Sequence, residues 1–320
     1  VSGDDDRTTR TTNRHGDTTH DTMLETTHFT DIDDISASEL DRVLTRAADI
    51  KSGDDETQLT RATLAMLFEK PSTRTRVSFE TGMTELGGHA LFLGPEDIQL
   101  GHGEPLSDTA RVLGRYGDAI MVRLFDHADL LEIAEHSDAP VINGLTDDAH
   151  PCQTLADLLT IREHVGDFDE VSAAWVGDGN NVGQSFVLGC AMAGIDLTVA
   201  TPPAYGVDDD VLEKAAELGS VPTITTDPEE AVADADVVYT DVWISMGQED
   251  QRHEKLQAFE GFQLNEDLLS DTDAKVMHCL PAHRGEEITG DVLEGERSLV
   301  WDQAENRLHA QKGLIVELLE

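Results

Sequence analysis

The chain reads as an α/β protein built from two doubly wound parallel-sheet domains with an active-site cleft between them. Three observations predict this. Short apolar runs alternate with amphipathic stretches of helical period from about residue 23 onward. The length, 320 residues, is more than one compact core usually takes. Arginines, hydroxyls and amides gather just after the apolar runs, where parallel sheets bind ligands.

The elements follow in order. Residues 1–22 hold seven Thr, five Asp and three Arg and almost no apolar side chain, so a disordered N-terminal extension is expected there, with Met23 near the natural start. Ser36 to Ile50 has the pattern of an amphipathic helix, and Leu64–Phe68 that of a strand. A helix is predicted from Ser72 to about Leu86, stopped by Gly87-Gly88. Thr109–Tyr116 reads as helix, Ala119–Arg123 as strand, Leu130–Glu135 as helix and Val141–Asn143 as a short strand before a loop at Gly144–Asp148. Pro151–His164 is a further helix. The second set comprises a strand at Val171–Val176, a helix at Asn181–Ala193 and a strand at Leu197–Ala200. Strands are also predicted at Val237–Thr240, Lys275–Cys279 and Leu299–Trp301, with a closing helix from Ala304 to Leu319.

Composition limits the partners. Sixty-five acidic against 22 basic residues leave a net charge of −43, which argues against nucleic acid and against an anionic membrane surface. The scarcity of Lys (6, against 16 Arg) and the carboxylate excess point to adaptation to high salt, where screening is nearly complete. Three cysteines, Cys152, Cys190 and Cys279, are an odd number with no CxxC pair. They point to a reducing cytoplasm rather than a disulfide framework. No apolar run reaches membrane-spanning length.

The sharpest motif is Ser72-Thr-Arg-Thr-Arg76. Pro71 blocks a helix upstream, Ser72 takes the N-cap position, and Phe79, Met83 and Leu86 keep helical spacing behind it. Ser72, Thr73, Arg74 and Thr75, with Arg76 beside them, then surround a positive helix end. That is a phosphate site built without glycines. Arg123 ends a strand, where ligands collect, and His150-Pro-Cys-Gln153 offers a proton donor and an amide at a helix start suited to a carbonyl or amide group.

Gly177-Asp-Gly-Asn-Asn-Val-Gly183 looks like a dinucleotide-binding turn. Its last Gly comes one residue late, however, and no acidic residue closes the next strand, so Asn181 reads better as a hydrogen-bonder for a polar substrate. Asp241-Val-Trp-Ile-Ser-Met-Gly247 offers a carboxylate and a hydroxyl, and His278-Cys-Leu-Pro281 a thiol beside Arg284. Residue type alone leaves Cys279 open as an inert core thiol, or as part of a zinc set with His278 and His283 that lacks paired ligand spacing.

Taken together, these blocks resemble the aspartate/ornithine carbamoyltransferase family from about Met23 to the end of the chain. The Ser-Thr-Arg-Thr-Arg and His-Pro-x-Gln motifs are shared across that family. Asp241…Ser245-Met246-Gly247 and His278-Cys-Leu-Pro281 are similar to its ornithine-specific members. The resemblance implies a carbamoyl phosphate-binding domain over 23–150, an ornithine-binding domain over 151–302 and a C-terminal helix over 303–320 packing back toward the first. It implies transfer of a carbamoyl group from carbamoyl phosphate to L-ornithine, giving citrulline and phosphate, by a homo-oligomer (a trimer or assembly of trimers) with no metal and no organic cofactor.

It further implies that Ser72, Thr73, Arg74, Thr75, Arg123, His150, Gln153, Cys279, Leu280 and Arg307 bind carbamoyl phosphate, with Gln99 reaching a neighbouring subunit's site. Asn181, Asp241, Ser245 and Met246 would bind ornithine, and Cys279, Arg123, His150 and Asp241 would be catalytic. His283 departs from the Tyr common in the family at that position. Competing readings are carbamoyl transfer to another amine such as putrescine, a dinucleotide-dependent oxidoreductase, and a non-catalytic acidic interaction protein.

Overall fold

A computed structural model of the chain describes residues 24–95, 97 and 103–320. The expected extension over residues 1–22, Met23 and Gln99 lie outside the described residues. The first half comprises α1 (Ala37–Ser52), β1 (Thr63–Phe68), α2 (Thr73–Glu85), β2 (His89–Leu93), α3 (Leu106–Tyr116), β3 (Ala119–Arg123), α4 (His127–His136), β4 (Val141–Leu145) and α5 (Pro151–His164). The second half continues with β5 (Ser172–Val176), α6 (Asn181–Ala193), β6 (Asp196–Ala200), α7 (Asp209–Leu218), β7 (Thr223–Thr225), α8 (Pro228–Val232) and β8 (Val237–Thr240). It ends with α9 (Arg252–Ala258), β9 (Lys275–His278), α10 (Gly290–Leu293) and α11 (Val300–Leu319).

The strands form two parallel sheets, ordered β2-β1-β3-β4 and β7-β6-β5-β8-β9. Each sheet reverses direction once. In the first, the chain leaves β1 for β2 on one side and returns to β3 on the other. In the second, β5 is followed by β6 on one side and later by β8 on the other. A crevice opens at the carboxyl ends of the strands at each such switch point. Phe68 pairs in register with Arg123, so the β1 and β3 ends meet at the start of α2, and Trp175 pairs with Tyr239, so the β5 and β8 ends bring Gly177 and Asp241 together.

α5 lies between the halves. From Pro151 to Ile161 every side chain is buried, which a helix achieves only when covered all round. α11 crosses back over it and packs on α1 and α2 as well. A Cβ at Gly313 would fall 2.8 Å from the Val43 carbonyl oxygen, so only glycine allows α11 to lie this close to α1.

Several element boundaries differ from the sequence expectation. Leu299–Trp301 is not a strand. Leu299 is the N-cap of α11, which starts at Val300 rather than Ala304, and only a single bridge, Val276 to Ser298, continues the sheet. Three apolar residues fit either period, and length is all that separates them. β4 runs through Gly144 and Leu145 where a loop was expected, because Leu145 still pairs with Arg123 beyond an irregularity in register. β9 stops at His278, leaving Cys279 in the turn that follows. β2, α7, β7, α8, α9 and α10 had no counterpart in the sequence reading.

Candidate active site

The two switch points open into one cavity of about 600 Å³. It is lined by Ser72, Thr73, Arg74, Thr75, Arg123, His150 and Gln153 from the first sheet's side, and by Asn181, Asp241, Ser245, Met246, Cys279 and Leu280 from the second. Arg307 reaches it from α11. Every predicted site residue among the described residues is therefore brought together. The exception among the neighbouring cations is Arg76, which pairs with Glu80 at 3.1 Å and stacks 3.7 Å from the Phe92 ring centroid, away from the cavity. At helix spacing Arg74 and Arg76 diverge, so only one of them can face the helix end.

One side of the cavity is cationic. Ser72 caps α2: its Oγ accepts from the Thr75 N–H at 3.2 Å. That amide is spent on the cap, which leaves the Thr73 and Arg74 amides at this helix end, beside the Arg74 side chain. Burial, with Arg307 and Arg74 beside it, lowers the pKa of Arg123, and burial also lowers that of Arg307. Burial and the same three guanidinium groups push His150 well below the ordinary histidine range, so its ring is neutral at pH 7. The lowered pKa values of Arg123, Arg307 and His150, with the Arg74 guanidinium beside them, mark a place suited to an anion.

The Gln153 side chain links these groups. Its Oε1 accepts from Arg307 Nη1 at 2.7 Å, and its Nε2 donates to the fully buried Asp157 at 2.8 Å. Burial raises Asp157 to about 7.

The opposite side carries acceptors. Asp241 follows β8 and takes two hydrogen bonds, from the Cys279 thiol at 2.9 Å and from Asn180 Nδ2 at 2.9 Å. Burial and the facing Asp241 carboxylate push the Cys279 thiol well above its usual value, so it is a protonated donor and not a thiolate. Cys279 is only partly buried and lines the cavity, so it is not a core thiol. His278, beside it, is fully engaged: Nε2 meets Glu287 at 3.0 Å, and Nδ1 accepts from the Leu280 N–H at 2.9 Å. His283 clusters with Glu286 and Glu287 rather than with Cys279, so the zinc set considered from sequence does not assemble.

Comparison with known proteins fixes the family. Residues 27–163 match the model described as "Aspartate/ornithine carbamoyltransferase, carbamoyl-P binding domain", and residues 169–318 match "Aspartate/ornithine carbamoyltransferase, Asp/Orn binding domain". The chain belongs to the aspartate/ornithine carbamoyltransferase family.

It is 70% identical to the ornithine carbamoyltransferase of Haloquadratum walsbyi over 93% of this chain and 99% of that one. Among solved structures it resembles the ornithine carbamoyltransferase from Pyrococcus furiosus with a TM-score of 0.86 and 49% identity, over 90% of this chain and 95% of that one. The Gloeobacter violaceus enzyme gives 0.84 and 44%, over 92% and 99%.

For a member of this carbamoyltransferase family, several cavity residues escaped the sequence reading. Asn180 caps α6, its Oδ1 accepting from the Val182 and Gly183 amides at 3.0 Å, while Asn181 donates to the Thr146 carbonyl at 2.6 Å. The usual N-cap preference for the residue just before a helix was the available signal. Lys70 bonds Asp147 and lies 4.3 Å from the Phe125 ring centroid. Lys255 bonds Asp178 at 2.5 Å and Gln248 at 2.8 Å. Both lysines are buried at the cavity wall, and their rarity in this chain was the only hint.

Proposed function

We propose that this protein transfers the carbamoyl group of carbamoyl phosphate to the side-chain amine of L-ornithine, forming L-citrulline and phosphate. The observation that carries this is the division of one cavity into a cationic half, Arg74, Arg123 and Arg307, and an opposite half where the Asp241 carboxylate accepts from the Cys279 thiol. The names of the relatives point the same way.

In this reading Ser72, Thr73, Arg74 and Thr75 hold the phosphate, and Gln153, Leu280 and Arg307 complete the carbamoyl phosphate pocket. Thr75, Arg123 and neutral His150 polarise the carbonyl oxygen. Gln99 is assigned to a neighbouring subunit's site. Asn181, Asp241, Ser245 and Met246 bind the amino-acid end of ornithine, groups that putrescine lacks. The unprotonated side-chain amine attacks the carbamoyl carbon. A C–N bond forms, the C–O bond to phosphate breaks, and the amine's proton leaves with phosphate. Fixed positive charge aimed at both the carbonyl oxygen and the departing phosphate lowers the barrier where charge develops. A protonated Cys279 orients Asp241 and the amine instead of taking the proton.

The domain division at 150/151, with residues 303–320 returning to the first domain, belongs to the same reading. So do a homo-oligomer of trimers or assemblies of trimers, a cytoplasmic location and adaptation to high salt. Among the described residues no helix is long and apolar enough to cross a membrane. Ornithine-dependent formation of citrulline from carbamoyl phosphate tests the activity directly; its absence would refute it.

A further inference from the structure

We infer that Asp157 is a positioning residue that holds the Gln153 amide with its oxygen aimed at the acyl group, and so selects an amino-bearing acyl phosphate over a methyl-bearing one. This rests on the activity proposed above and extends it to the choice of donor.

Asp157 lies one helical turn after Gln153 on α5 and is fully buried. Its Oδ1 accepts from Gln153 Nε2 at 2.8 Å and from Gln303 Nε2 at 2.7 Å. Gln153 Oε1 accepts from Arg307 Nη1 at 2.7 Å. A guanidinium can only donate, and Asp157 Oδ1, which takes both amides, can only accept, any proton on this carboxyl sitting on Oδ2. An amide caught between the two has one orientation that satisfies both, with nitrogen toward Asp157 and oxygen toward Arg307 and the cavity that both residues line. That oxygen has a second lone pair, which Arg307 leaves open. An N–H of a carbamoyl group can fill it, whereas an acetyl methyl leaves it unpaired. A site built to accept a hydrogen bond penalises the ligand that lacks the donor. Without Asp157 the nitrogen end loses its anchor and the amide swings off its aim.

The same carboxyl oxygen fixes Gln303, whose Oε1 accepts the His278 N–H at 2.9 Å just before Cys279. This second arm supplies a control. Gln303→Leu should disturb the end of β9 while leaving Gln153 clamped.

The test is the ratio of the inhibition constant of acetyl phosphate, competing against carbamoyl phosphate, to the KM of carbamoyl phosphate. Asp157→Ala should lower this ratio by about tenfold, the size of one hydrogen bond. Asp157→Asn, whose oxygen still accepts both amides, should stay within about threefold of wild type, and Gln303→Leu should reduce turnover with the ratio unchanged. If Asp157→Ala yields no folded protein, Asp157→Ser is read in its place, because its hydroxyl can donate or accept and no longer dictates the amide's facing. A folded Ala or Ser variant with low activity but an unchanged ratio would reduce Asp157 to a structural role and overturn the inference. A wild-type protein that does not turn over carbamoyl phosphate at all would remove the activity itself, and the selectivity with it.

Discussion

The Cys279 thiol donates to Asp241, Sγ to Oδ1 at 2.9 Å, and this contact joins the turn after β9 to the turn after β8. Cys279→Ser should lower kcat by about a hundredfold while changing the KM for carbamoyl phosphate less than threefold, because the shorter hydroxyl shifts the acceptor half and leaves the anion half intact. Unchanged turnover would remove the thiol from the chemistry. The raised pKa adds a pH signature. Alkylation of Cys279 should still be climbing at about pH 9, and a plateau near pH 7 would mean a thiolate instead.

Arg74 belongs to the helix end where the phosphate is assigned. Removing one charge-assisted contact costs about 2 kcal/mol, so Arg74→Ala should weaken carbamoyl phosphate binding at least about thirtyfold. Calorimetry with carbamoyl phosphate or inorganic phosphate checks this. Arg76→Ala, which loses only the Glu80 pair and the Phe92 stack, should bind like wild type. Equal losses from the two variants would contradict the assignment.

Asp157 gives stability a pH dependence of known sign. Its folded-state pKa, about 7, lies above the ordinary carboxylate value, so the native protein holds a proton that the unfolded chain releases. Its contribution to stability is full below about pH 4 and is lost as pH rises toward 7, by at most about 1.4 kcal/mol per pH unit. Asp157→Asn removes this dependence. Its melting temperature relative to wild type should therefore rise by several degrees between about pH 5 and pH 8. A difference that stays flat with pH would contradict a protonated Asp157.

A charge of −43 on 320 residues favours the compact state only when it is screened. Melting temperature and activity should both fall when KCl is lowered from about 2 M to about 0.1 M, with sedimentation showing smaller species at the low end. Full stability and activity without salt would overturn the reading of the acidic surface as salt adaptation.

How much was legible depended on range. Ser72 to Thr75 were readable because a cap and its helix are local, and the same local logic applies to Asn180, the residue just before α6. Arg307 sits 154 residues from the Gln153 it touches and entered only through resemblance. Asp157 was invisible, since a carboxylate on a helix reads as a solvated face until another helix covers it. Arg76 shows the converse. Adjacent arginines in a motif suggest a common target, and helical geometry separates them. The lost elements were mostly short ones, such as β7 and α10, where three or four residues carry no period.

The central claim is that this cavity makes citrulline from ornithine. Its most direct test is steady-state product formation from carbamoyl phosphate with ornithine, putrescine and acetylated ornithine in turn, at about 2 M KCl. Citrulline from ornithine, with kcat/KM at least about a hundredfold above either alternative amine, is the predicted result. Comparable turnover of putrescine, or no carbamoylated product from any of the three, would contradict it.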